Sequence, residues 1–231
     1  MYSVFHRYED IIRVNASHNL MTRNLLTWRS HENDEEGLLI LNVSGVFDPS
    51  TGTAACGGIF RVYNDRFVLG YSVKVGECSS NDEAEIWGIY HGLKIARQND
   101  IWGVYRDKLR QRSLPISPKI ARQHDFGKIR VESGSYKAID FVLDGCPTST
   151  STSASTSTST SRWLQHCFPL CPELQALTSA TNHLYFVWGL GRAAKFAEFG
   201  LSMKQQAASI FYDWPSFCKP FLSDEWAKEK W

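Results

Sequence analysis

The sequence predicts an α/β fold, a mixed sheet of five strands, three antiparallel and then parallel, with helices against it. Three observations carry this. Residues 38–76 hold strand-like runs joined by short turn signals. Residues 79–98 hold one long segment with helical spacing of apolar residues. Beyond it, short apolar runs alternate with helical stretches, the order that builds a sheet with helices packed on it.

The first run, LLILNVSGVF (38–47), is aliphatic and β-branched and ends near Asp48-Pro49 and Thr51-Gly52, which mark a turn. ACGGIFRVY (55–63) reads as the second strand, with two glycines that permit close backbone approach. Asn64-Asp65 is the next turn, and RFVLGYSVKVG (66–76) the third strand. In 79–98, Ser79 or Ser80 can cap a helix whose first turns carry Asp82, Glu83 and Glu85, favourable against the helix dipole. Ile86, Ile89, Leu93 and Ala96 form its apolar face. KIRVES (128–133) reads as a buried fourth strand and SYKAIDFVL (135–143) as a helix stopped by Gly145 and Pro147. HLYFVW (183–188) is the last strand, followed by a short helix around 192–199.

Length and composition allow one domain with extensions, or at most two small ones. The core is predicted to be aromatic, with 13 Phe, 9 Tyr and 8 Trp. A net charge of +1 gives no global field toward nucleic acid or membrane. No apolar run is long enough to span a bilayer, so no membrane partner is expected, and the N-terminus lacks the apolar stretch of a signal peptide. The six cysteines form no CxxC, and Cys167 and Cys171 lack a histidine pair at zinc spacing. Reduced thiols in an intracellular protein are expected.

The organisation follows: an N-terminal extension (1–36), a central domain (37–200) and an aromatic C-terminal tail (201–231). Two stretches interrupt the domain. Residues 148–161 are almost pure Ser and Thr and predict a disordered loop. Residues 99–127 are an insert in which KIARQND (94–100) nearly returns as KIARQHD (119–125), a partial duplication rather than a repeat array. Eight Lys and Arg between 106 and 130 face only Asp107 and Asp125, a net of +6. Such a segment can contact phosphates without reading sequence, or be a solvated insert. The tail, FYDWPSFCKPF with Trp226 and Trp231, reads more readily as folded back on the core than as a base-stacking platform.

Four stretches resemble the plant-type ribonuclease H-like domain, related to the ribonuclease H regions of retroelement reverse transcriptases. LILNVSG resembles the first-strand motif, in which Asp-Gly follows Leu-Asn-Val. ACGGIFRVYNDRFVLGYS resembles strands two and three, SSNDEAEIWGIYHGLKIA the first helix, and VESGSYKAI the fourth strand and next helix. They fall between residues 39 and 139, a span of roughly half the chain. The resemblance implies cleavage of the RNA strand of RNA–DNA hybrids, with four carboxylates holding two Mg²⁺ ions about 4 Å apart.

Carried over by position, three of those four carboxylates are replaced. The first falls on Ser44, the strand-four aspartate on Gly134 and the last on Lys195, while the helix glutamate is kept as Glu85. The family's His, Arg, Glu and Asn before the final helix fall on Tyr185, Trp188, Gly189 and Gly191. Groups that touch RNA 2′-hydroxyls in the family map to Gly45 and Asn81, both present. One carboxylate does not hold two Mg²⁺ ions, and a lysine would add repulsion of about 1–4 kcal/mol at about 4 Å. The sequence therefore predicts a pseudoenzyme that binds RNA–DNA hybrid or RNA, with no cofactor; Mg²⁺ enters only if activity is retained, and Glu85 is then the ligand. The alternatives are an active ribonuclease with Asp48, Asp82, Glu83 or Glu132 compensating, and a structural module or decaying gene copy.

Overall fold

The computed structural model describes residues 38–62, 66–99, 101–111, 128–144, 167–181, 184–188 and 193–221. The N-terminal extension, the Asn64-Asp65 turn, the second copy of the duplicated segment, the Ser/Thr tract, Gly189, Gly191, Trp226 and Trp231 lie outside them. All that follows concerns the unit Gly37–Trp231.

Six strands make one sheet among the described residues, ordered β5-β4-β1-β2-β3-β6. They are β1 (Leu38–Asp48), β2 (Thr53–Val62), β3 (Phe67–Glu77), β4 (Lys128–Ser133), β5 (Leu184–Trp188) and β6 (Ala208–Phe211). The helices are α1 (Asn81–Gln98), α2 (Ile101–Gln111), α3 (Tyr136–Leu143), α4 (Cys171–Ser179) and α5 (Ala194–Ser202). β1, β2 and β3 form the expected antiparallel meander, and β4 and β5 run parallel to β1. The sixth strand corrects the five read from the sequence. It pairs antiparallel with β3, Gly70 to Phe211 through Val73 to Ala208, inside the segment read as a tail.

β1 is central, and Leu38–Val43 are buried at every position. A strand covered on both faces loses the period-two pattern and reads as a continuous apolar run. α1 covers one face and α5 the other. The cap of α1 was legible: the Ser80 hydroxyl accepts from the Glu83 amide at 3.2 Å, and the Glu83 carboxylate accepts from the Ser79 amide at 2.7 Å. Tyr71 on β3 reaches across the layer, its buried hydroxyl donating to the Gly88 carbonyl at 2.6 Å.

The second face is aromatic. Phe196 on α5 is fully buried and meets Phe211, Trp214 and Phe217, while Phe199 stacks on Phe217 at 4.6 Å. Phe67 stacks on Trp214 at 4.4 Å. The described tail aromatics thus fold back on the core, the first of the two readings above. α2 lies in the insert and was not foreseen as a helix. Its Ile101 is fully buried, and its Lys108 ammonium sits 5.0 Å over the Phe67 ring and donates to the Tyr212 carbonyl.

α5 can approach only because Gly57 on β2 has no side chain. A Cβ there would stand 2.6 Å from the Ala197 amide nitrogen and 2.6 Å from the Phe196 carbonyl carbon, both backbone. Gly57→Ala is therefore expected to cost about 1–3 kcal/mol by forcing the helix off the sheet, read as a lower urea midpoint at unchanged slope. An unchanged midpoint would mean the layers are looser than these distances.

Candidate functional site

Glu85 lies in the second turn of α1, where the helix crosses β1. Gly45 makes the crossing tight: a Cβ on it would stand 2.5 Å from the Glu85 amide nitrogen. At this range the Gly45 amide donates to Glu85 Oε1 at 3.0 Å. β4 closes the other side, with the Ser133 hydroxyl donating to Glu85 Oε2 at 2.7 Å. Only 6% of Glu85 is exposed. Burial pushes its carboxyl up to about 7, against the opposing pull of the Ser133 and Gly45 hydrogen bonds. Each carboxylate oxygen is therefore held by a protein donor, and desolvation favours the neutral acid.

The structure brings Glu85, Gly45 and the β4 end at Gly134 together. Ser44, also buried, goes elsewhere. Successive side chains on a strand alternate in face; Gly45 meets α1, and Ser44 pairs with Gly57, which meets α5. Gly134 is exposed and carries no ligand, and its carbonyl accepts from the Trp188 indole Nε1 at 3.0 Å. Lys195 ion-pairs with Glu198 at 2.5 Å on the exposed side of α5. Asn81, exposed at the start of α1, accepts from the Phe47 amide at 2.7 Å and so ties the helix start to β1.

The four acids named as possible replacements are each engaged. Asp48 caps its own turn, accepting from Ser50 and Thr51, which hold its carboxyl below the usual value. Asp82 accepts from the Ser135 hydroxyl at 2.7 Å and pairs with Lys137 at 3.3 Å. Glu83 is fully buried in the helix cap. Glu132 faces away from Glu85, since its strand neighbour Ser133 is the one that reaches it. Its Oε2 accepts from Asn42 Nδ2 at 2.5 Å and from Arg61 Nη2 at 2.8 Å, and its Oε1 lies 2.9 Å from Arg130 Nη2.

Divalent magnesium needs several hard oxygen donors. Among the described residues no group of three or more His, Cys, Asp or Glu side chains could hold a metal ion. The donor set at Glu85, one acid occupied by two donors beside a glycine, does not fit the two-ion cage. Ser133 belongs to the strand-four motif, and as the residue next to Glu132 it takes the opposite face of the strand, the one that meets α1. Of the basic insert, Arg130 turns inward to Glu132 and Lys108 packs on Phe67; residues 112–127 lie outside the described ones. The five described cysteines are all buried. No described helix is long and apolar enough to cross a membrane.

Residues 42–105, from β1 into α2, match the family model described as reverse transcriptase-like. A protein of Arabidopsis thaliana named "Putative ribonuclease H protein" is 32% identical over 65 residues, 28% of this chain. The chain spans only 10% of that relative's length. Among solved structures, ribonuclease H1 of Halobacterium salinarum matches 71% of this chain and 97% of its own at 14% identity and a TM-score of 0.45. The N-terminal ribonuclease H domain of a Mycobacterium tuberculosis protein matches 71% and 93% at 14% and 0.43. The matched segment supplies the meander and the glutamate-bearing helix around which the sheet is built, and on that ground the chain carries a ribonuclease H-like domain.

Proposed function

We propose that this domain binds nucleic acid, RNA–DNA hybrid or RNA, at the end of the sheet where β1, β4 and α1 meet, without efficient two-metal cleavage. The state of Glu85 is the observation that carries the second half. It is the sole acid at the four matching positions, both its oxygens accept from protein donors, and burial raises its carboxyl to about 7. Supporting the first half are the match of residues 42–105 and the 32% identity to a protein named for ribonuclease H. Gly45 and Asn81 stand at the positions where the family touches 2′-hydroxyls, and Asn81 is exposed and uses its oxygen, not its amide nitrogen, toward Phe47.

The test is a labelled RNA–DNA hybrid with Mg²⁺ or Mn²⁺. The expected result is binding that weakens steeply as salt rises, since phosphate contacts dominate such affinity, and no cleavage above background. Cleavage that disappears in Glu85→Ala would instead establish an active ribonuclease. Absence of binding to hybrid or duplex RNA at low salt would leave the structural-module reading. Calorimetry of a protein carrying Ser44→Asp, Gly134→Asp and Lys195→Asp together tests the positional match itself: metal binding is expected where the three acids converge with Glu85, and none would count against the match.

A further inference from the structure

We propose that Trp188 is a stacking platform for an unpaired nucleobase, so that the domain prefers a hybrid with a single-stranded overhang to a blunt one. This rests on the nucleic-acid reading above. Trp188 ends β5, and the register sets it beside Ser133, the residue that donates to Glu85. It therefore stands at the same end of the sheet as Glu85, Gly45 and Gly134.

Two features separate it from an ordinary surface aromatic. The first is exposure: it is 46% exposed, and the other exposed large apolar residues among those described, Ile210 and Tyr212, belong to β6 and the residue after it, at the opposite edge of the sheet. The second is fixation. Its indole Nε1 already donates to the Gly134 carbonyl at 3.0 Å, so the polar edge is satisfied by protein and what remains for solvent is ring. A fixed, half-exposed indole loses little rotamer freedom on binding, which suits it to a planar partner.

The chemistry of that partner follows from the surroundings. Lys137, three residues beyond Gly134 and paired with Asp82 at 3.3 Å, keeps its side chain 69% exposed, so that this shared cation can turn to a phosphate. A planar, apolar group joined to a phosphate is a nucleotide. Bases inside a duplex are stacked on their neighbours and present only their edges, so away from the duplex ends an indole face is open to unpaired bases. Such stacking does not read sequence, because every base has a π-face.

The experiment compares hybrids of equal duplex length, blunt, with a short single-stranded overhang, and with the same overhang lacking its bases. Wild-type protein is expected to bind the overhang form about tenfold tighter than the blunt form. Removing the overhang bases should return the affinity to the blunt value; this arm needs no variant and so stands even if a variant folds poorly. Trp188→Ala is expected to abolish the preference while leaving blunt binding within about twofold, and Trp188→Phe to keep part of it. An equal affinity for blunt and overhang hybrids overturns the proposal and leaves the nucleic-acid reading standing. So does a base-free overhang that binds as tightly as the intact one, or a Trp188→Ala protein that weakens on both forms alike. If no form binds wild-type protein, both fall.

Discussion

Glu132→Ala is expected to destabilise the domain by about 3 kcal/mol or more, read as a lower midpoint in urea at pH 7. Glu132 is the one acid between two arginines. Arg61 Nη2 is 2.8 Å from its Oε2 and Arg130 Nη2 is 2.9 Å from its Oε1. The side chains are 7% exposed for Arg61, 11% for Glu132 and 12% for Arg130, too little for water to replace the lost carboxylate. Asn42 bridges the set, accepting from Arg61 Nε at 2.6 Å and donating to Glu132. Removing the acid takes the carboxylate away from two poorly hydrated cations on the sheet face that α5 covers. Removing one cation leaves a balanced pair, so Arg130→Met should cost clearly less. Glu132→Gln, which keeps the shape and one acceptor, should fall between. A Glu132→Ala protein within about 1 kcal/mol of wild type would mean that the three charges are hydrated and the cluster is not structural.

The same cluster shows where sequence reading stops. The pairing of Arg61 with Glu132 joins positions 71 residues apart, and no local pattern announces it. Glu132 was weighed as a compensating acid because Gly134 lies two residues on, against its ordinary place in Val-Glu-Ser; its partner across the sheet was invisible. The meander and α1 were legible because each rests on neighbours in sequence: turn residues, a serine cap, an apolar helical face. β6 was not. It has four residues, and it is fixed by β3, more than a hundred positions earlier, and by Phe211 against Phe196. α4 carried a readable signal in Cys171, Leu174 and Leu177, all buried on one face, with proline at its start. The two cysteines were considered only as zinc ligands and set aside. At the site, sequence position placed Gly45, Glu85 and Gly134 near one another. That Ser133 and Gly45 would each take an oxygen of Glu85 depended on how closely two layers pack, which glycine permits and sequence alone does not measure.

Glu85→Gln tests that closure directly and is expected to stabilise the protein at alkaline pH while leaving it unchanged in acid. The sign follows from linkage. Glu85 titrates at about 7 in the folded chain against an ordinary 4.5, so between those values the native state holds a proton that the unfolded chain has released. Stability from this group is complete below about 4.5 and is lost as pH rises through about 7, a swing of about 3 kcal/mol. Glutamine stays neutral throughout. Its carbonyl can accept from the Gly45 amide, and its NH₂ can donate to the Ser133 hydroxyl, which rotates to suit. The variant should match wild type near pH 4 and exceed it by roughly 2–3 kcal/mol at pH 8, in urea titrations run at each pH. Magnesium sharpens the test. A cation held by ionised Glu85 would pull its titration downward and raise wild-type stability at pH 8 in proportion to its affinity. Addition of Mg²⁺ is expected to leave the wild-type curve where it was, since neither oxygen of Glu85 is offered to solvent. A wild-type stability that does not fall between pH 5 and 8, or one that Mg²⁺ restores, would show the carboxylate to be open and charged, and the domain to retain the start of a metal site.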